Sequence, residues 1–253
     1  MYLEERQEKI LAILKEKRKI SVGEMSERFN VSGATIRTDL RLMEESGQLT
    51  RTHGGAILRT RASFEMGSDL RESLNIDAKA RVGERAAQLI EDGDIIVLDT
   101  GTTTLHIAHH LRERKNLTVI TNDFAIARVL EEAGGVQVVL LGGIVKKGYH
   151  CVIPAAGGQM MDHLNVDKAF MAVNGISLKQ GACVADIMLA ESKRTIIEHA
   201  SQVIVVCDSS KLGNTSLAQF ARSDQVDMLV MDNLPEDADA WQQAGIALVT
   251  LES

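Results

Sequence analysis

Cysteine, proline and aromatic residues are scarce in this sequence of 253 residues. The three cysteines stand far apart and without Cys-x-x-Cys spacing, which excludes a disulfide framework or a cysteine zinc site and indicates reduced thiols. No apolar run approaches the roughly 20 residues that a membrane span needs, and the charged N-terminus lacks the apolar core of a signal peptide. We therefore expect a cytoplasmic globular protein without membrane association.

A surplus of basic residues is also lacking, because the formal net charge is −7. The charge is unevenly distributed along the chain, however. Residues 1–58 hold ten Lys and Arg against nine Asp and Glu, a balance of +1, so the remainder of the chain holds −8. This distribution of charge is typical of a small nucleic-acid-binding domain joined to an acidic domain.

Helical periods and turn residues alternate in the first part of the chain. Apolar residues recur at helical spacing over residues 4–17, and Ser21 with Glu24 has the spacing of a capping box that begins a second helix. A third helix, at about residues 34–45, follows a turn and ends at a glycine. Two short extended segments around a Gly-Gly pair then predict a hairpin. This order predicts a winged helix-turn-helix domain over residues 1–58.

The third predicted helix has a polar and basic outer face. Arginine makes bidentate contacts to guanine, and threonine contacts phosphates or the thymine methyl group. The alternative is a three-helix cap with solvated charges, which would not require this order of cap, turn, helix and hairpin. The acidic Asp39, Glu44 and Glu45 on the same helix would oppose phosphates, so we expect them to face away or to pair with neighbouring arginines. The predicted DNA-binding residues are Ser32, Thr35, Arg37, Thr38, Arg41, Arg51, Thr52, His53 and Gly54.

After a segment at residues 59–76, interpreted as a linker, the pattern changes. Near-continuous Val, Ile and Leu segments alternate with helical periods over residues 77–253. This alternation is typical of a mainly parallel α/β sheet with helices on its faces. Strands are predicted at 95–98, 117–121, 136–141, 168–173, 203–207, 226–231 and 246–251, and helices at about 78–91, 103–112, 124–132 and 188–200.

The turn after the first of these strands has the features of an anion site. Free N–H groups at a helix N-terminus, a glycine and several hydroxyls suit a phosphate, although a threonine-rich helix cap is the alternative. The turn contains neither a Walker A motif nor Gly-x-Gly-x-x-Gly, so ATP and dinucleotides are not indicated. Polar or small residues also follow other strands, at the edge where such sheets bind ligands. The predicted effector-binding residues are Asp99, Thr100, Gly101, Thr102, Thr103, Thr104, Asn122, Gly142, Gly143, Asn174 and Lys211.

Two other groups of polar residues were weighed for chemistry. His106, His109 and His110 lie on one predicted helix at a spacing that can bind a metal, but no third ligand is evident nearby. We interpret them as a solvated surface and predict no metal site. Glu191 and Lys193, at the start of a later helix, are interpreted as a surface ion pair. No catalytic residue is predicted.

The sequence resembles the DeoR family of bacterial regulators of sugar metabolism along essentially its whole length. The residues that carry the resemblance are Thr35-Ile36-Arg37-x-Asp39-Leu40, Gly54-Gly55-Ala56, the run from Asp99 to Thr104, Leu141-Gly142-Gly143 and Asp208-Ser209-Ser210-Lys211. The resemblance implies a repressor with its recognition helix in the major groove. It also implies a sensor domain that is similar to ribose-5-phosphate isomerase and binds a phosphorylated sugar or sugar alcohol. Asn174-Gly175 stands where the family usually has Asp-Gly, so an amide replaces a carboxylate that would contact a sugar hydroxyl.

Two other functions compete with this interpretation. A sugar-phosphate isomerase needs a positioned base, and residues 176–179 contain no carboxylate, so we do not expect an enzyme. A purely structural DNA-binding protein would not need polar loops at its strand ends. We therefore expect a repressor without a cofactor, whose partners are double-stranded operator DNA and a phosphorylated effector. Paired recognition helices imply a homodimer or homotetramer.

Overall fold

The chain divides into two units, Met1–Met66 and Gly67–Ser253. Of the segment predicted as a linker, residues 59–66 lie outside the described residues. Residues 67–76 belong to the second unit, where Ser68–Glu72 is helical. The computed structural model of the protein describes residues 3–17, 19–45, 49–58, 67–153 and 161–251.

In its described residues the first unit contains three helices and a three-stranded antiparallel sheet, which confirms the predicted winged helix-turn-helix. The first strand was not predicted, because three residues are too few to show a period. The elements are α1 (Leu3–Lys17), β1 (Lys19–Ser21), α2 (Val22–Phe29), α3 (Gly33–Glu45), β2 (Leu49–Thr52) and β3 (Gly55–Leu58). In the sheet, β3 lies between β1 and β2.

Local signals position these helices as the sequence indicated. The Ser21 hydroxyl accepts a hydrogen bond of 3.1 Å from the backbone N–H of Glu24 and so caps α2. Asn30 ends α2 with a positive φ of 51°, a conformation that asparagine tolerates. A Cβ on Gly55 would lie 1.9 Å from the carbonyl oxygen of Ile20, so only glycine lets β3 approach β1. The helices and the sheet bury one aliphatic core, formed by Ile10, Ile13, Leu14, Ile20, Met25, Ile36, Leu40, Met43, Leu49 and Ala56.

The second unit is an α/β domain with six helices and twelve strands in its described residues. The helices are α4 (Ser68–Glu72), α5 (Ile76–Ala87), α6 (Thr102–His109), α7 (Phe124–Leu130), α8 (Ile187–Glu198) and α9 (Ala238–Gln243). The strands are β4 (Ile95–Leu98), β5 (Leu117–Thr121), β6 (Val136–Leu140), β7 (Ile144–Lys146), β8 (Cys151–Ile153), β9 (Val166–Ala172), β10 (Gly175–Ser177), β11 (Gly181–Val184), β12 (Ala200–Val206), β13 (Ala218–Ala221), β14 (Met228–Val230) and β15 (Ala247–Val249).

Seven of these strands form the predicted parallel sheet, in the order β15-β14-β12-β9-β4-β5-β6. Its alternating side chains enter two cores. Ile96 and Leu98 pack with α5, α6 and α7 on one face, whereas Val97 packs with the core that contains side chains of α8 and α9. A sheet that is covered on both faces explains why its strands are almost continuously aliphatic.

Two smaller antiparallel sheets complete the second unit, and the sequence analysis did not predict them. One contains β10, β11 and β13, and the other pairs β7 with β8. Each of these strands has only three or four residues. Such segments are too short to show an alternation that distinguishes them from turns.

The order of the strands places a crevice at the carboxyl ends of the central strands β4 and β9. From β4 the chain proceeds outward through β5 and β6, and it then returns to the other side of β4 with β9. Open α/β sheets bind ligands at such a switch point, beyond the carboxyl ends of the strands. Among the described residues, no helix has both the length and the apolar character to span a membrane.

Candidate functional site

The outer face of α3 carries the predicted DNA-binding side chains. Arg37, Thr38 and Arg41 are exposed, whereas Ile36 and Leu40 on the opposite face are buried in the core of the first unit. Ser32 caps the helix, since its hydroxyl accepts a hydrogen bond of 3.1 Å from the N–H of Thr35 and lies 2.9 Å from the Thr35 hydroxyl. The helix therefore presents two cations and a hydroxyl to solvent, on the face opposite its buried residues.

The acidic Asp39 of α3 does not reach this outer face. It is 1% exposed and accepts a bidentate pair of hydrogen bonds from Arg6 of α1, with Nε–Oδ2 2.5 Å and Nη2–Oδ1 3.0 Å. The hydrogen bond with Asp39 raises the pKa of Arg6, which stays charged. The pairing removes one negative charge from the surface that α3 presents.

The predicted wing residues lie on the hairpin of β2 and β3. Arg51, Thr52, His53 and Gly54 are all exposed. The Arg51 side chain is already engaged, because its Nε donates to the Glu44 carboxylate at 2.7 Å and its backbone N–H donates to the same group at 2.8 Å. Glu44 thus fixes the start of the wing against α3.

The turn from β4 into α6 lies at the crevice of the sheet. Gly101 is the N-terminal cap residue of α6, and no side chain of the described residues caps this helix, in contrast to α2, α7 and α8. The first N–H groups of a helix have no acceptor within it, so a ligand anion can fill their place. A Cβ on Gly101 would lie 2.5 Å from the Cβ of Ala172, so glycine allows this turn to pack against the end of β9.

The hydroxyls of this turn are partly used within the protein. Thr100 donates a hydrogen bond of 2.8 Å to Asp123, and Thr104 donates one of 2.8 Å to the carbonyl oxygen of Gly101. Burial raises the pKa of Asp123, which also caps α7 by accepting from two backbone N–H groups. Thr102 and Thr103 are buried in the first turn of α6. Thr100 and Thr104 therefore use their hydroxyls to shape the turn.

Two buried acceptors follow the carboxyl ends of β5 and β12, two strands of the large sheet that are separated by β9 and β4. The Asn122 amide donates to the Val152 carbonyl at 3.2 Å, while its Oδ1 has no partner among the described residues. Asp208, after β12, accepts from Asn75 and from the N–H of Ser210, while its Oδ2 likewise has no partner within the described chain. Both side chains are 2% exposed. Buried acceptors without a partner are costly, and a ligand hydroxyl would satisfy them.

Other predicted effector residues are placed less directly. Asn174 uses its Oδ1 to accept from the N–H of Ala185 at 3.1 Å, so it stabilises the turn after β9. Gly142 and Gly143 follow β6 and are exposed. Because β5 separates β6 from β4, the two glycines lie at a strand end roughly 10 Å away from that of β4. Lys211, in the turn after β12, is half-buried.

The interpretation of Lys193 as part of a surface ion pair was wrong. Lys193 is 2% exposed, and its Nζ donates to the Asp99 carboxylate and to the carbonyl oxygen of Ala172. Its expected partner Glu191 pairs with Arg194 instead. A signal was present in the sequence, since Lys193 stands four residues after Leu189 and three before Ile196, on the apolar face of the helix.

Lys79 was also missed by the sequence analysis. It is 4% exposed, and its Nζ donates to the carbonyl oxygens of Arg71 and Leu74. Burial lowers the pKa of Lys79 to about 8, and the positive charge of Lys211 acts in the same direction, while Asp208 acts against it. No local pattern marks this residue, because a lysine on a predicted amphipathic helix is normally solvated.

No metal site emerges from the part of the chain that the structure describes, which contains no suitable group of three or more His, Cys, Asp or Glu. Burial lowers the pKa of His106, and its ring lies 6.3 Å from that of His109. A lowered pKa keeps His106 neutral at neutral pH.

Comparisons with known proteins agree with both units. Residues 6–62 match the family described as the DeoR-like helix-turn-helix domain, and residues 74–233 match the DeoR C terminal sensor domain. The chain belongs to the DeoR family. Its relatives include the HTH-type transcriptional repressor GlcR of Bacillus subtilis, 37% identical over 100% of this chain and 98% of GlcR. They also include the HTH-type transcriptional regulator GolR of Listeria innocua, 32% identical over the full length of both chains.

This DeoR-family protein is a DNA-binding transcriptional repressor and not an enzyme, as its resemblance to the family implied. Among solved structures, ribose 5-phosphate isomerase A from Methanocaldococcus jannaschii is similar to it in fold. The two are 21% identical, with a TM-score of 0.40, over 55% of each chain.

Proposed function

We propose that this DeoR-family repressor is controlled by a phosphorylated sugar or sugar alcohol that binds in the crevice between β4 and β9. One observation carries the proposal: at the carboxyl ends of the sheet strands, the part of the chain that the structure describes has a helix N-terminus without a side-chain cap and buried acceptors without a partner. The N–H groups of α6 suit a phosphate, and Lys211 supplies a positive charge near Asp208.

The acceptors favour a ligand with hydroxyl groups over a simple anion. Asn122 Oδ1 and Asp208 Oδ2 can only accept hydrogen bonds in their ordinary protonation states. Near neutral pH a phosphate ion presents at most one or two O–H donors, whereas a sugar or sugar alcohol presents several along its carbon chain and can reach both acceptors while its phosphate is bound elsewhere. The combination of an anion cradle with buried acceptors therefore supports a phosphorylated polyhydroxy compound.

The effector would act on a symmetric assembly. Helix-turn-helix proteins read two half-sites with paired recognition helices, so we propose a homodimer or homotetramer on double-stranded operator DNA. Effector binding changes the affinity for the operator only if the effector favours one arrangement of the paired recognition helices over another.

Binding of the effector can be tested with the full chain by thermal shift. Each phosphorylated sugar or sugar alcohol is compared with its unphosphorylated form and with inorganic phosphate at the same ionic strength. A ligand at 100 times its Kd stabilises the folded protein by about 2.7 kcal/mol, and this stabilisation raises the Tm. We expect the Tm to rise only with a phosphorylated polyhydroxy compound. The active compounds are then titrated into a gel-shift assay. Unchanged Tm and operator affinity with every compound would refute the proposal.

Arg37→Ala is expected to weaken binding to a selected operator about 5- to 150-fold, because it removes a base contact that contributes about 1–3 kcal/mol. Binding to random duplex DNA should fall much less. The operator is obtained by selection from a random pool with the unmodified protein, and Kd values are measured at fixed salt. Arg81→Ala, an exposed arginine on α5, is the matched control and should change neither value. Equal losses on operator and random DNA would mean that Arg37 contacts only phosphates.

A further inference from the structure

Lys79 holds the C-terminal end of α4, the first helix of the second unit. Its ammonium group donates to the carbonyl oxygens of Arg71 and Leu74. The Arg71 carbonyl also accepts from the N–H of Leu74 at 3.3 Å, so one oxygen serves both donors. A cation at the C-terminal end of a helix stabilises the last carbonyls. Lys79 thus stabilises α4 in the absence of a ligand.

Lys79 also lies beside the first turn of α6. Helix α5 leads into the start of β4 and α6 leaves its end, so the two helices run in the same direction along one face of the sheet. They pack closely, since a Cβ on Gly83 would lie 2.5 Å from the Cβ of His106. Lys79 precedes Gly83 by one helical turn, just as Thr102 precedes His106 by one turn. This register places the backbone of Lys79 level with the first turn of α6.

The charged groups around Lys79 come from three other parts of the second unit. Arg71 and Glu72 belong to α4, Asp208 and Lys211 to the turn after β12, and His106 to α6. Asp208 uses one oxygen for Asn75 and Ser210, and the acceptors of the Lys79 ammonium within the described chain are two neutral carbonyls. A buried cation with neutral acceptors gains more from an incoming anion than an ion-paired one does.

We propose that Lys79 is shared between α4 and the anion site, so that an anion bound at the first turn of α6 draws the ammonium group away from the carbonyls of Arg71 and Leu74 and loosens the end of α4. The inference rests on the effector site proposed above. It extends the effect of the bound anion to α4, which lies at the start of the second unit and so follows the DNA-binding unit in sequence. Because coupling is reciprocal, a loosened α4 also favours the bound anion.

Sulfate is a suitable probe, because it does not change its own charge between pH 6.5 and 9.5. We measure hydrogen exchange of the Ser73 and Leu74 amides in the full chain, with sulfate and with chloride at equal ionic strength. Sulfate is expected to speed exchange of these two amides by roughly tenfold, within the range of known coupling between sites. In Lys79→Met, sulfate should have no effect on them. Lys179→Met, which changes an exposed lysine of the same unit, should respond as the unmodified protein does.

The pH dependence tests the same point without a substitution. Lys79 has a pKa of about 8 and must be charged to bind an anion. The apparent affinity for sulfate should therefore fall about tenfold from pH 7 to pH 9, as the charged fraction falls. A constant affinity over this range would contradict the role of Lys79.

The outcomes separate this inference from the proposed function. If phosphorylated sugars release the operator but sulfate leaves Ser73 and Leu74 unchanged, or if Lys79→Met responds to sulfate like the unmodified protein, the role of Lys79 is wrong and the effector site stands. If the unmodified protein responds neither to sulfate nor to any phosphorylated sugar, both are wrong.

Discussion

Lys193→Met is expected to destabilise the second unit by about 3–5 kcal/mol, because it leaves the buried Asp99 carboxylate without its cation. Asp99 is 1% exposed and Lys193 2%, so water cannot replace the lost partner without opening the core. The same ammonium group donates to the Ala172 carbonyl at 3.0 Å and lies 5.2 Å from the centre of the Phe220 ring. Removing it disturbs the turn from β4 into α6 as well as the end of β9.

Denaturant unfolding of the full chain, followed by the fluorescence of the buried Trp241, measures this loss. Arg194→Met is the matched control on the same helix, where the exposed ion pair with Glu191 should contribute less than about 1 kcal/mol. The double variant Asp99→Asn/Lys193→Met removes both charges and should recover part of the loss. Equal stabilities of Lys193→Met and Arg194→Met would show that the buried pair is not a major source of stability.

Arg6→Met is expected to have a comparable effect on the first unit, again about 3–5 kcal/mol, since Asp39 would be left buried and unpaired beneath the recognition helix. A typical domain is stable by only 5–15 kcal/mol, so much of the stability of this small unit would be lost. Operator binding should then fail well below the temperature at which the unmodified protein loses it. Hydrogen exchange of the α3 amides measures the unfolding of this unit directly.

Two comparisons make the result for Arg6 specific. Lys9→Met changes an exposed ion pair with Glu5 on the same helix, so it should leave α3 exchange almost unchanged. Arg6→Met/Asp39→Leu replaces the buried pair by apolar side chains and should restore a large part of the stability. If the α3 amides exchange as slowly in Arg6→Met as in Lys9→Met, the buried ion pair contributes little to the stability of the first unit.

Local chemistry made much of the fold predictable. Ser21 with Glu24 marked the start of α2, and the aliphatic segment at Ile95–Leu98 marked a strand buried on both faces. These signals lie within a few residues of the elements that they position. The turn from Asp99 to Thr104 could be predicted as an anion site for the same reason, because a phosphate cradle needs only consecutive backbone groups; that role stays a prediction.

The short strands and the contacts between distant side chains could not be predicted from local sequence. Three-residue strands such as β7 and β8 are held by each other and not by a pattern of their own. Asn75 contacts Asp208 over 133 residues of sequence, and nothing near either residue specifies the other. Which acceptors remain without a partner, such as Asn122 Oδ1, depends on all neighbours at once.

The sequence by itself determined the two domain types, the face of α3 that carries Arg37, and the turn from β4 into α6, since these follow from periodicity and turn chemistry. Only the tertiary structure decided the state of the charges. Asp99 and Lys193 are 94 residues apart in sequence, and Arg6 and Asp39 are 33 apart. Whether an ionisable group is solvated, paired or held ready for a ligand depends on burial, which is a property of the folded packing and not of any local run of residues.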